Sequence, residues 1–441
     1  MMRCSLLLAG FFAVAAVSAA PLPHTTWTCE GGPSGFCDAM MANMIAATLN
    51  HSAPGMACAA ATAPTFPPLG GRRGRVGDAG DATFVGSVGR YTYEAWEAET
   101  TNATLFDMAS CSKIMGTTTA TAQLYQRGYL HLDMKVADPS LLGSAFAAHG
   151  KGDITIRNLM LHNAGFPPDP NPGYSSPLFP CKENGRYYPQ QTFDCDETIF
   201  NNLVHNQTLV YPTGSQYIYS DLSMITAMFV IGHIVKQHQL VPPSQFPPLC
   251  YGREASLVCN FYAYITVNVF QRYGLTETRY VPSDAVDRCA PQWRDPWYHH
   301  GLIMGYVSDQ NAFALGGVAG HAGVFSTVGD SLKFMRVWMG AEDPDFLNRT
   351  TIQLFTTVAN RTQSSRALGW DTNSDAARWC GSLSNRTFFH IGFTGTQFCG
   401  DPENGVITVL LGNGRYPDYH NDGTIWYRPL YNSLVQRLLA P

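Results

Sequence analysis

The sequence predicts a mixed α and β domain (α/β, mixed α+β) in which one antiparallel sheet is assembled from both ends of the chain. Patterns typical of strands occur near the N-terminus at residues 55–62 and 81–93, and near the C-terminus at residues 387–400 and 405–414. Helical patterns and long loops rich in proline or glycine fill the interval between them. This order favours a central sheet of about five strands flanked by helices, with a helical subdomain beside it.

The helical patterns are separate from the strands and differ in character. Residues 38–49 have helical apolar spacing, residues 222–238 are largely apolar, and residues 330–340 are amphipathic. A last helical pattern closes the chain. Three patches rich in proline or glycine are expected to be surface loops, at residues 65–71, 166–180 and 241–248.

Composition places the chain among globular proteins and argues against a nucleic-acid partner. Of its 441 residues, 45% are hydrophobic and 14% are charged, and the formal net charge is −5. Disordered chains contain fewer apolar residues, and a nucleic-acid-binding surface needs a basic patch. We interpret the one short basic run, Gly71–Arg75, as a solvated turn.

The N-terminus has the pattern of a secretory signal peptide over residues 1–19. Arg3 supplies a positive charge, Leu6–Val17 forms an apolar core, and Ser18–Ala20 offers small residues for cleavage. The apolar run is shorter than the roughly 20 residues of a spanning helix, and an uncleaved anchor is the alternative. We therefore expect a secreted or lumenal protein without a stable membrane span, whose folded domain covers residues 38–441.

Cysteines and glycosylation sequons agree with the secretory route. The chain has 12 cysteines, and because Cys4 leaves with the signal, an odd number remains. Cys111 is expected to be a buried free thiol. The alternative for an unpaired cysteine is a disulfide to another chain, which would make a covalent oligomer. Candidate local disulfides lie in loop-rich stretches, at Cys181/Cys195, Cys250/Cys259 and Cys380/Cys399. Six N-x-[ST] sequons begin at Asn50, Asn102, Asn206, Asn348, Asn360 and Asn385.

The stretch Asp107–Gly128, DMASCSKIMGTTTATAQLYQRG, carries the first indication of chemistry. Its apolar spacing and closing glycine predict a buried helix over residues 109–126. Ser110 precedes Lys113 by three residues, so both lie on one helix face. A serine hydroxyl needs a base to become a nucleophile, and a lysine serves if burial and a neighbouring cation lower its pKa. Alone, this spacing is common, and a serine such as Ser110 is more often a helix N-cap than a nucleophile.

Two later motifs strengthen the catalytic interpretation. Tyr219-Ser220-Asp221 stands just ahead of the apolar helix, and His390-Ile391-Gly392 lies on a predicted strand followed by glycine-rich backbone. A tyrosine oxygen can relay a proton to a leaving group. A strand with a cationic side chain and free N–H groups can bind an acyl oxyanion.

The order of these three motifs resembles the signature of penicillin-recognising serine enzymes. Together with Ile154–Asp169 and Leu315–Phe334, it makes the chain similar to the serine β-lactamase family from about Met40 onward. The similarity is to the branch of class C enzymes, penicillin-binding-protein-like hydrolases, D-alanyl-D-alanine peptidases and esterases. It implies a β-lactamase/transpeptidase-like fold and a covalent acyl-enzyme, with no metal and no cofactor. Zinc is also disfavoured by the lack of CxxC and HExxH motifs.

The resemblance assigns a role to each motif residue. Ser110 corresponds to the acylated nucleophile, Lys113 to the base beside it, and Tyr219 to the tyrosine that shuttles the proton. The N–H groups of Ser110 and Phe393 would form the oxyanion hole, next to Gly392 of the third motif.

Three departures from the family pattern bear on the substrate. Asp221 stands where Asn is commoner, His390 where many members have Lys, and Ile391 where Thr is usual. These changes favour a small-molecule or peptide-like ester or amide without a carboxylate near the strand. A β-lactamase or D-Ala-D-Ala-type peptidase is the alternative, and a catalytically idle scaffold or binding protein is another. The sequence leaves the oligomeric state open.

Other polar residues near these motifs have simpler interpretations. His321, in the glycine-rich GGVAGHAG, is expected to be structural, with a place on the pocket wall as the alternative; His162 is also expected to be structural. Asp309 and Asn311 either line the pocket or cap a turn. Ser112 is expected to have no chemical role.

Overall fold

The structure is a computed structural model that describes residues 23–64, 82–181, 195–296, 298, 301–340 and 345–439. The predicted signal peptide at residues 1–19 and the basic run Gly71–Arg75 lie outside the described residues. Within the described part of the chain, no helix is both long enough and apolar enough to cross a bilayer.

Strands from both ends of the chain form one central sheet. The described strands are β1 (Thr25–Glu30), β2 (Gly55–Thr62), β3 (Thr83–Gly89), β4 (Phe106–Asp107), β5 (Arg279–Tyr280), β6 (Arg294–Asp295), β7 (Gly301–Leu302), β8 (Val324–Ser326), β9 (Asp371–Thr372), β10 (Phe388–Ile391), β11 (Gln397–Asp401) and β12 (Val406–Gly412). The central sheet has the order β1-β3-β2-β12-β11-β10-β9 and is antiparallel throughout. Its centre is the pairing of β2 with β12, which confirms the predicted assembly from both chain ends.

Helices cover both faces of this sheet. The described α-helices are α1 (Phe36–Leu49), α2 (Thr119–Gln126), α3 (Ile156–Met160), α4 (Asp196–His205), α5 (Asp221–His238), α6 (Leu257–Tyr264), α7 (Gln310–Ala314), α8 (Val328–Trp338), α9 (Arg349–Thr356) and α10 (Thr424–Leu439). The strand β2 reads GMACAAAT, and its small side chains alternate between two cores: Ala57, Ala59 and Ala61 face the larger one, and Cys58 and Ala60 the other. Such small residues let helices approach the sheet closely from either side.

Three sequence predictions need correction. The stretch 387–400 is not one strand, because the chain turns at Gly392–Thr396 and returns as β11; the Gly392 N–H donates to the Thr396 carbonyl at 2.8 Å. The sheet has seven strands rather than about five, since β1 and β9 were not predicted. Because β1 pairs with β3, the folded unit begins before residue 38.

Four disulfides lie in the described residues, and three of them are the predicted local pairs. The fourth joins β1 to the first turn of α1. The pairs are Cys29–Cys37, Cys181–Cys195, Cys250–Cys259 and Cys380–Cys399. Cys111 is buried and free, as predicted, and so are Cys58 and Cys289.

Candidate active site

Ser110 lies at the start of a buried helical stretch that runs from Ala109 to Gln126. The stretch begins with a 3₁₀ turn at Ala109–Cys111, continues as a π-helical segment at Lys113–Thr118 and ends as α2. The predicted helix is therefore present, with tighter turns at its start and wider ones in its middle. The N-cap position of its first turn is Met108 and Ser110 lies inside that turn, so Ser110 is not acting as an N-cap.

The backbone just before Ser110 has an unusual conformation. Ala109 has a φ of +45°, in the left-handed region that costs energy for a residue with a side chain. Its N–H donates to Asp107 Oδ1 at 2.9 Å, and Asp107 Oδ2 accepts from the Ser308 N–H at 2.8 Å. Asp107 is buried, which raises the pKa of its carboxyl group. This buried side chain holds the turn that positions Ser110.

The side chain of Lys113 bridges Ser110 and Asp221. Its Nζ lies 2.8 Å from Ser110 Oγ, 2.7 Å from Asp221 Oδ1 and 3.0 Å from the His321 carbonyl oxygen. Lys113 Nζ therefore has two hydrogen-bond acceptors and one ion-pair partner around it, and the side chain is fully buried. The first two motifs of the sequence meet at this nitrogen atom.

The protonation of Lys113 differs from the expectation. Burial lowers the pKa of Lys113, but the attraction of Asp221 and the contacts with Tyr219 outweigh burial and raise that pKa above its ordinary value. Lys113 is therefore an ammonium at neutral pH. It can take the proton of Ser110 only if it gives one away, and the Asp221 carboxylate lies 2.7 Å from Lys113 Nζ.

Tyr219 lies between two cations. Its ring centroid is 4.9 Å from Lys113 Nζ and 5.1 Å from Arg366 Cζ. Burial raises the pKa of Tyr219, while Lys113 and Arg366 oppose that rise. The buried His162 ring packs against the Tyr219 ring with 4.7 Å between centroids, which agrees with the structural role expected for it.

Arg366 is a site residue that sequence reasoning missed. Its Nε lies 3.0 Å from Tyr217 Oη and 3.2 Å from Asp371 Oδ2. Its Nη1 is buried and has no hydrogen-bond partner among the described residues. Arg366 belongs to no motif, since it lies in the loop between α9 and β9, and only the folded chain brings it to Tyr219.

His390 lies on β10 and is neutral rather than cationic. Burial, together with the nearby charges of Arg366 and Lys113, holds the pKa of His390 well below its ordinary value. His390 Nδ1 is 2.9 Å from the Ile391 carbonyl oxygen, which can only accept, so Nδ1 carries the proton. His390 Nε2 is a buried acceptor without a partner among the described residues. At neutral pH this strand therefore carries no charge from His390, and the cation in the same cavity wall is Arg366.

The turn between β10 and β11 is tied to the start of the Ser110 helix. Thr394 Oγ1 donates to the Asp107 carbonyl at 2.6 Å, and Thr396 Oγ1 donates to the Met108 carbonyl at 3.0 Å. A Cβ on Gly392 would lie 2.6 Å from the Met108 carbonyl oxygen, so only glycine fits there. The sequence signal for these contacts was GFTGT, whose threonines had no assigned role.

The two predicted oxyanion donors lie on either side of this junction. Within the described residues, the backbone N–H groups of Ser110 and Phe393 donate no hydrogen bond. Free donors beside the nucleophile are what an oxyanion hole requires. Their assignment to that role stays a prediction.

The buried His321 and the partly exposed Asp309 form a second pair beside Lys113. His321 Nε2 is 2.9 Å from Asp309 Oδ1, and Asp309 also caps α7 by accepting from the Ala312 N–H. Burial opposes both charges, but the attraction between the two residues lowers the pKa of Asp309 to about 2 and raises that of His321.

Asn311 accepts from the Tyr174 N–H, and Ser112 accepts from the Val324 N–H, so both have structural bonds.

Two cavities meet at Ser110, and Tyr219 and Phe393 line both. One has a volume of about 490 Å³ and contains His390, Gly392 and Arg366 in its wall. The other has a volume of about 440 Å³, and its wall includes the carboxylates of Asp169, Asp221 and Asp309.

The one group of possible metal ligands among the described residues does not suit a metal ion. Donor atoms of Asp221, Asp309 and His321 lie within 4.8 Å of one another. Asp221 is already paired with Lys113, and Asp309 with His321. A divalent cation would have to displace the Lys113 ammonium, so the expectation of a metal-free site remains the better prediction.

Comparison with known proteins agrees with this geometry. The family model described as "Beta-lactamase" matches residues 72–428. A putative D-alanyl-D-alanine carboxypeptidase of Escherichia coli K12 is 29% identical over 337 residues, covering 71% of this chain and 70% of the relative.

Solved structures share the fold at low identity. EstCE1, a hydrolase with promiscuous acyltransferase activity, has a TM-score of 0.63 at 18% identity, covering 91% of this chain and 98% of its own. A class C β-lactamase from Rhodobacter sphaeroides has a TM-score of 0.58 at 19% identity, covering 91% and 100%.

Proposed function

Since the chain belongs to the β-lactamase family of serine hydrolases, we propose that it hydrolyses an ester or amide through a covalent acyl-enzyme on Ser110. The observation that carries this proposal is the buried line of contacts from Ser110 through Lys113 to Asp221. Both distances are short enough for proton transfer. An idle scaffold has no need to keep a buried lysine between a serine and a carboxylate.

In the proposed mechanism Asp221 is the terminal proton acceptor and Lys113 the relay. As Ser110 Oγ attacks the carbonyl carbon, its proton passes to Lys113 Nζ while Lys113 gives a proton to Asp221. The serine becomes a nucleophile, Lys113 remains an ammonium, and Asp221 becomes neutral. The only charge that moves is the negative one, which passes from Asp221 to the carbonyl oxygen under attack. Asp221 thereby accepts a proton, which Asn, the commoner residue at this position, cannot do.

The tetrahedral intermediate and its collapse use the remaining motif residues. The N–H groups of Ser110 and Phe393 stabilise the oxyanion, and the dipole at the start of the helix adds to their effect. When the bond to the leaving group breaks, the Tyr219 hydroxyl donates a proton to it, and Asp221 restores that proton through Lys113. Water then hydrolyses the acyl-enzyme by the same steps in reverse.

An ester or small amide remains the first choice of substrate. The neutral His390 and the apolar Ile391 offer little to a substrate carboxylate on the third motif. The runner-up, a D-Ala-D-Ala-type peptidase or β-lactamase, is favoured by the carboxypeptidase relatives and by the unpartnered Nη1 of Arg366.

Secretion is part of the proposal. Four disulfides are typical of proteins that fold in an oxidising compartment, and the signal-peptide pattern of residues 1–19 would direct the chain there.

Hydrolysis of a 4-nitrophenyl ester and of a chromogenic cephalosporin tests the proposal. The wild type should hydrolyse the ester with a burst of one equivalent of nitrophenol, and Ser110→Ala should lose turnover while remaining folded. Ser112→Ala is the matched control, because that hydroxyl lies outside both cavities. Turnover that survives in Ser110→Ala refutes the assignment, and cephalosporin hydrolysis alone would favour the runner-up.

A further inference from the structure

The cavity of about 440 Å³ beside Ser110 has one carboxylate that the protein itself does not use. Three carboxylates line it, but Asp221 is paired with Lys113 and Asp309 with His321. Asp169 has no hydrogen bond or ion pair with any described residue, and its side chain is exposed to the cavity. Asp169 is therefore the one carboxylate of the three without a partner among the described residues.

Three aromatic side chains also line this cavity, and we call them the aromatic wall: Trp293, Phe393 and Tyr419. The ring centroids of Trp293 and Tyr419 are 5.2 Å apart, those of Trp293 and Phe393 are 5.9 Å apart, and those of Phe393 and Tyr419 are 5.1 Å apart. Phe393 and Tyr419 remain partly exposed, at 38% and 50%. Ring faces at a cavity attract cations, and tryptophan does so most strongly.

Charges around the aromatic wall do not cancel this attraction. Arg415 is a cation at this wall, with its guanidinium carbon 3.7 Å from the Phe393 centroid. Its Nη2 is 2.9 Å from Asp422 Oδ2, and its other nitrogens donate to backbone carbonyls, so its charge is paired. The carboxylate of Asp169, by contrast, has no ion-pair partner among the described residues. Burial and the charges of Asp221 and Asp309 raise its pKa. A positive charge placed beside Asp169 would relieve that repulsion.

We propose that this cavity selects substrates that carry a positively charged amine, held between the Asp169 carboxylate and the aromatic wall while Ser110 attacks the carbonyl. The inference rests on the proposed function, because Ser110 is its reference point. It adds the chemical class of the substrate: an aminoacyl or ammonium-bearing ester or amide. Asp169 is then a specificity-determining residue rather than a catalytic one.

Two pairs of substrates of matched shape test this inference. Alanine 4-nitroanilide and isobutyric 4-nitroanilide differ by an amine in the acyl part. Acetylcholine and 3,3-dimethylbutyl acetate differ by a charge in the leaving group. In at least one pair, Asp169→Asn should reduce the preference for the cationic member, as a ratio of kcat/KM values, by about tenfold. Comparing that ratio between variants cancels the intrinsic reactivity of each substrate.

The control is Asp138→Asn, which makes the same charge change at a partly exposed position outside both cavities and should leave both preferences unchanged. Unaltered preferences in Asp169→Asn would overturn the inference, even if both substrates are hydrolysed.

A binding measurement separates this inference from the proposed function. Calorimetry with Ser110→Ala protein should give a Kd for butylammonium that rises about tenfold when Asp169→Asn is added, while weak binding of butanol does not change. If no substrate is hydrolysed but this effect is present, the proposed function fails and the amine site stands. If hydrolysis occurs and Asp169→Asn leaves butylammonium binding unchanged, the amine site fails alone.

Discussion

Asp221→Asn perturbs the pair on which the proposed mechanism depends. At 2.7 Å and an effective dielectric constant of about 20, the attraction between Lys113 and Asp221 is about 6 kcal/mol before the cost of desolvation. Removing one partner of a buried pair costs about 3–5 kcal/mol. The Asp221 side chain is 17% exposed and Lys113 keeps two other acceptors, so we expect the low end, about 3 kcal/mol.

Urea unfolding of the wild type and Asp221→Asn measures this cost. Asp169→Asn is the matched control, because it lines the same cavity without an ion pair, and it should stay within about 0.5 kcal/mol of the wild type. The folded-state pKa of Lys113 is raised, so its stabilisation is complete below its unfolded pKa of about 10.4 and is lost only as the pH rises through the higher folded value. The difference between wild type and variant should therefore be constant from pH 7 to 9. A loss of unfolding free energy below about 0.5 kcal/mol in Asp221→Asn would refute the claim that the Lys113–Asp221 pair stabilises the fold.

The same variant tests the proton relay through its pH dependence. In the wild type, labelling of Ser110 by a fluorophosphonate should level off near neutral pH, because Asp221 accepts the proton. In Asp221→Asn the rate at pH 7 should fall about 100-fold. It should then increase with pH, because the unpaired Lys113 must lose its proton to act as the base. Parallel pH profiles for the two proteins would exclude Asp221 as the acceptor.

Two further substitutions test the rest of the site. Gly392→Ala places a Cβ 2.0 Å from Thr396 Oγ1, so it should displace the turn and slow acylation about 100-fold, whereas Gly329→Ala, where nothing lies within 4 Å, should not. Equal labelling rates for these two variants would argue against an oxyanion donor at Phe393. Arg366→Gln removes a charge that lowers the pKa of His390, so the titration of His390 followed by NMR should move to higher pH. An unchanged titration would mean that Arg366 does not contribute to the low pKa of His390.

The sequence was most informative where a pattern is local. The strand at residues 55–62 was predicted with its observed bounds, because Gly and Thr flank an unbroken run of small apolar residues. The three motifs were found in order, and the structure places Ser110 Oγ and Asp221 Oδ1 on either side of one atom, Lys113 Nζ.

Features that depend on distant residues could not be predicted in the same way. The turn after His390 was missed because GFTGT suits a strand as well as a turn, and its contacts are with Asp107 and Met108. The pKa of Lys113 was expected to be lowered by burial and a neighbouring cation, whereas the structure raises it. The pKa values of Lys113 and His390 both depend on charged residues that are distant in the sequence. Arg366 is one of these residues, and it belongs to no recognisable motif.

Intact-mass spectrometry after incubation with a fluorophosphonate, and separately with a penicillin, tests the central claim most directly. The account predicts one adduct per chain with the fluorophosphonate, located at Ser110 and missing in folded Ser110→Ala. An additional penicillin adduct at the same residue would move the substrate toward β-lactam chemistry. A folded wild-type protein that forms no adduct with either reagent would contradict the account and leave a catalytically idle member of the family.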